Sequence, residues 1–206
     1  KDFSGEWLLS IVSGPDDTPL YAVFAGGALM LLVGVAAGAG WWLATGTQFR
    51  WLALGAGLWF GSVAVKVVVS MTAAGPVLAT LEAHLPETLY TALGALYIGL
   101  ESSVCEIGAV ALAAFYLRGM AGNPLRALAV GVGAGAFEAA LLGITAMGSG
   151  VVALADVAET EMVQVLALGG AARTSLVFLA SPIERVMAIL VHVAARGLVL
   201  YGFATG

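Results

Sequence analysis

The chain has 206 residues, of which 61% are hydrophobic and 10% charged, with a formal net charge of −5. A soluble domain carries about 25% charged residues, so this chain, with a mean hydropathy of +1.01, lacks the polar coat that a water-soluble fold needs. No basic patch is present, which argues against a nucleic-acid partner. The single cysteine, Cys105, excludes an internal disulfide and leaves no second thiol for a zinc motif.

These properties predict an all-α, polytopic integral membrane bundle. A bilayer core of about 30 Å takes roughly 20 apolar residues as helix. In chain order, residues 1–19 read as an extramembrane leader, because Gly14-Pro15-Asp16-Asp17-Thr18-Pro19 is acidic and turn-prone. The leader lacks the basic flank of a secretory signal. Residues 20–206 read as one transmembrane domain with spans at 20–44, 51–73, 88–117, 124–147 and 182–203. Pro76, Pro86, Pro124 and Pro182 are expected outside a span or in its first turn, where a missing N–H costs little. Residues 150–181 begin with Asp156, Glu159 and Glu161 and then turn apolar around Arg173. That stretch reads as an interfacial or re-entrant helix, with a sixth span as the alternative.

Loop charge gives the orientation, since short loops rich in Lys and Arg stay cytoplasmic. The leader is acidic, the next loop holds Arg50, and the third holds Glu82 and Glu87. The fourth holds Arg118 and Arg126, and the region after it is acidic again. This alternation predicts a prokaryotic cytoplasmic membrane with the N-terminus outside. Trp41, Trp42 and Trp51 bracket the Arg50 loop, as expected of rings at headgroup level. The 28 glycines include Gly34-x3-Gly38 and Gly57-x3-Gly61, spaced to let helices approach closely within the chain or against other membrane proteins. The run Gly131-Val-Gly133-Ala-Gly135 lies inside an apolar span with no strand before it, so a nucleotide loop is excluded.

Ionisable groups in a bilayer cost several kcal/mol, about 3 on insertion scales, and therefore face partners or cavities. The candidates are Lys66 in the second span, Glu101 and Glu106 in the third, and Glu138 in the fourth. Glu184, Arg185, His192 and Arg196 lie on the fifth. Arg185, His192 and Arg196 share one helical face. Glu101 and Glu106 are turned about 140° apart, so only one of them is expected to face His192, and Glu106 is the deeper. Two readings of this set remain open. In one, Glu106, Glu138 and His192 converge on a wet cavity, where a carboxylate acts as general base toward water. In the other, Lys66, Glu101, Glu184, Arg185 and Arg196 belong to structural ion pairs that fix helix register. No metal site is predicted, because an HExxH motif is absent. No cofactor is implied either, although His192 keeps the chemistry to ligate a metal or a pigment.

The last span carries Glu184-Arg185-x6-His192-x3-Arg196, which resembles a signature of the YhfC family of bacterial membrane peptidases, relatives of the CAAX-prenyl-endopeptidase (Abi) and PrsW proteases. Two further stretches fit in order. Tyr97-Ile-Gly99 followed by Cys105-Glu106 resembles the family's third-span segment, and Gly131 to Glu138-Ala139 resembles its glycine-rich segment. The resemblance implies that Glu106, Glu138 and His192 occupy catalytic positions, with a glutamate-activated water attacking a peptide bond inside the membrane. Cys105 stands where the family has the first of two glutamates, and Ala134 where it has a histidine. Those departures imply an inactive relative, and with it the alternative of a non-catalytic scaffold or accessory subunit of a larger membrane assembly.

Overall fold

The computed structural model describes residues 18–154 and 177–205, all of them helical apart from short connections. Helix α1 spans Thr18–Thr45, and α2 spans Phe49–Val69. A π-helical turn, Ser70–Ala74, leads directly into α3, Gly75–His84. Helix α4 spans Glu87–Tyr116 and is followed by a 3-10 turn, Arg118–Met120. Helix α5 spans Pro124–Leu154 and α6 spans Val177–Thr205. Among the described residues, five stretches are long and apolar enough to cross a membrane: Val23–Thr45, Phe49–His84, Glu87–Tyr116, Pro124–Ser149 and Ala180–Thr205. The chain is an all-α helical membrane protein. Of the leader and the 150–181 stretch, residues 1–17 and 155–176 lie outside the described residues, while 150–154 continue α5 and 177–181 open α6.

Two prolines are placed differently from expectation. Pro86 precedes α4 and Pro124 opens α5, but Pro76 lies inside the continuous 36-residue run Phe49–His84. Proline offers no N–H and its ring collides with the carbonyl four residues back. The π turn immediately before Pro76 widens the helix to admit that ring. The Thr72 hydroxyl folds back onto the Val68 carbonyl at 2.8 Å, giving the disturbed turn a partner. At 1.5 Å per residue the whole run is about 54 Å long, so it projects well past a bilayer core. Pro182 is the sixth residue of α6, not its first, because the helix starts upstream of the residues that hydropathy alone marks.

The chain forms two compact units. One draws on residues 18–40, 136–154 and 177–189, the other on 41–135 and 190–205. In the first unit α1 meets α5 through small residues. A Cβ on Gly27 would sit 2.8 Å from the Gly143 carbonyl oxygen, and one on Gly34 would sit 2.5 Å from that of Ala136. Without lipid-side hydrophobic drive, such backbone approach is how membrane helices gain dispersion energy.

In the second unit, Val110, Ala114, Met120, Ala121, Ala127, Val130 and Leu200 form a buried cluster that Trp51, Leu54 and Leu58 flank. A smaller cluster joins Leu52, Ala129 and Val132 to Trp41 and Trp51. Trp41 and Trp51 therefore pack inward, whereas Trp42 is exposed. Side chains at Gly55 and Gly133 would overlap the Val130 and Leu52 backbones, and one at Gly131 would meet Val193 Cα at 2.6 Å. The glycine-rich run is thus the place where α5 touches α2 and α6. Gly57 and Gly61 have nothing within 4 Å of a would-be Cβ, so their spacing serves no contact within the described chain.

Candidate functional site

In the second unit the crossing at Gly131 brings the lower half of α6 against its neighbours and sets the position of His192 and Arg196. Arg196 is 1% exposed. Its Nη2 donates to Glu106 Oε2 on α4 at 3.3 Å, and its Nη1 contacts His192 Nδ1 one turn earlier on the same helix. A guanidinium can only donate. His192 Nδ1 therefore accepts, which puts the ring proton on Nε2 in this arrangement. Nδ1 also lies 3.9 Å from Glu106 Oε2. Glu106, His192 and Arg196 thus form one cluster, with the guanidinium as its hub.

Glu101 looks the other way. Five residues earlier on α4, it accepts a 2.5 Å hydrogen bond from the Ser70 hydroxyl in the π turn and is nearly as buried as the core. Lys66, one helical turn before Ser70, makes no ion pair with Glu101 or Glu106 among the described residues. Ser70 carried no signal of its own in the sequence. Pro76, six residues on, was the available hint that the backbone opens there.

Glu138 belongs to the first unit. Arg185 Nη1 donates to its Oε1 at 2.8 Å, and Arg185 Nη2 contacts Glu184 Oε1. Arg185 is buried and Glu138 nearly so, while the Glu184 side chain is 66% exposed. The three residues of the family-like set are therefore engaged as follows: Glu106 and His192 with Arg196 in one unit, Glu138 with Arg185 in the other.

Among the described residues no three His, Cys, Asp or Glu side chains gather as a metal site. His192 Nδ1 is turned to the guanidinium and Cys105 is a free thiol of intermediate burial. Chemically, the clusters can hold helices together across the bilayer. The Arg196 contact engages one of the two Glu106 carboxylate oxygens, Oε2, in holding α4 to α6. Family models, curated proteins and solved structures were compared with the chain, and none matches.

Proposed function

We propose that this chain is a non-catalytic scaffold or accessory subunit in a membrane assembly. It keeps a build like that of YhfC-type peptidases, with the glutamate and histidine set turned to a structural use. The carrying observation is Arg196. A fully buried guanidinium engages both Glu106 and His192, so one carboxylate oxygen and the Nδ1 lone pair serve the contact between α4 and α6. A buried cation of this kind is costly unless paired, so Glu106 is the counter-charge that keeps Arg196 in the membrane. The membrane is a prokaryotic cytoplasmic one, with the ends bearing Arg50, Arg118 and Arg126 inside. Exposed Gly57 and Gly61 offer a close-packing face to another membrane protein.

A second reading is a glutamate-activated intramembrane peptidase, favoured by the 3.9 Å separation of His192 Nδ1 and Glu106 Oε2 and by a Glu106 side chain 21% exposed. Reconstitution into liposomes with a library of transmembrane peptides separates the two. The scaffold reading expects the wild-type protein and Glu106→Gln to leave the library equally intact. Cleavage that the Glu106→Gln variant loses, while staying folded, would replace it with the peptidase.

A further inference from the structure

At the end of the second unit where α2 and α5 begin and α4 finishes, Trp51 carries two arginines. The Arg50 guanidinium lies 4.9 Å and that of Arg126 5.4 Å from the indole. Arg126 Nη1 is also tied to the Gly119 carbonyl at 3.3 Å, and a Cβ on Gly119 would touch the same indole at 3.7 Å. Arg118 opens that 3-10 turn. The loops at 46–48 and 117–123 contain no Asp or Glu, and none of the three arginines forms an ion pair among the described residues. Two guanidiniums without an ion-pair partner among the described residues, Arg50 and Arg126, therefore flank one indole with most of their five N–H donors available, and Arg118 opens the adjoining turn.

The surroundings fix what kind of anion they meet. Trp42, Phe49, Phe115 and Tyr116 are exposed at this same end, the pattern of an aromatic girdle at headgroup depth. A guanidinium held by cation–π contact presents its edge for paired hydrogen bonds to phosphate oxygens. We propose that Arg50, Arg118, Arg126 and Trp51 form a binding site for the phosphate of an anionic phospholipid. The occupant is a lipid and not a free phosphate, because the girdle places the arginines where the acyl chains of the same molecule lie against apolar helix. The site is independent of Glu106, Arg196 and His192.

Native mass spectrometry of the purified protein in micelles, titrated with phosphatidylglycerol or with phosphatidylcholine, tests this. The wild-type protein should retain phosphatidylglycerol preferentially. Arg50→Ala and Arg126→Ala should each lower that preference about fivefold, the worth of one arginine at an anionic surface. Arg50→Lys and Arg126→Lys keep the charge but lose the planar fork, and should recover only part of it. Equal retention of the two lipids by the wild-type protein would overturn the proposal without reference to any variant. So would full preference in the lysine variants, which reduces the site to bare charge, or displacement of the bound lipid by inorganic phosphate.

Discussion

The two arginine clusters resemble each other in composition and differ in burial. In the second unit Arg196 is 1% exposed and is closed in by Glu106 and its own helix neighbour His192. In the first unit Arg185 shares itself between Glu138 and a Glu184 that stands largely in the open. A guanidinium shut inside the bundle depends on the side chains around it, whereas one paired with a side chain at the molecular surface depends on them less. The same pairing chemistry should therefore weigh more heavily around Arg196 than around Arg185.

Substitutions can break that comparison in order of size. Arg196→Ala should have the largest effect, since it empties the most deeply buried of these sites and takes the guanidinium from Glu106. A loss of about 3–5 kcal/mol is expected for breaking a buried pair, read from denaturant unfolding in micelles. Arg185→Ala should cost about 1–3 kcal/mol, the range for leaving one partly buried acceptor unsatisfied. If the two losses are equal, the difference in burial does not matter and the comparison fails. Next comes Gly133→Ala, which forces a methyl into the Leu52 backbone and should cost about 1–3 kcal/mol as overpacking. Gly57→Ala, with open space around it, should be neutral or stabilising by up to about 1 kcal/mol through helix propensity. Thermal unfolding of the pair of glycine variants distinguishes real helix contacts from mere spacing. Smallest is Glu184→Gln, expected within about 1 kcal/mol of wild type because the Glu184 side chain is 66% exposed and Arg185 keeps Glu138.

The positions of the five apolar helices were legible because hydropathy over about 20 residues is set by the bilayer itself. Helix ends were less so. Pro76 and Pro182 read as boundary markers, yet a π turn absorbs one and an earlier helix start encloses the other. The glycine pairs show the limit of spacing as a signal. Gly34 makes a tight contact and Gly57 makes none, since a four-residue interval says which residues share a face but not what that face meets. The polar residues were similar. Rotation about α4 separates Glu101 from Glu106 in the sequence, but their partners depend on how neighbouring helices are turned. Ser70 and Arg196 are those partners, and no local pattern around either names the glutamate it takes. Arg196 on Glu106 and Arg185 on Glu138 are the contacts behind the proposed structural role.

The most direct test is a double-mutant cycle on Glu106→Gln and Arg196→Met, measuring unfolding free energy in micelles. The account predicts that each single variant is strongly destabilised and that the double variant recovers much of the loss. A coupling of at least about 1 kcal/mol is expected for groups in one network. Additive losses, with Arg196→Met tolerated in a folded protein that still holds Glu106, would contradict the claim that Arg196 and Glu106 stabilise one another.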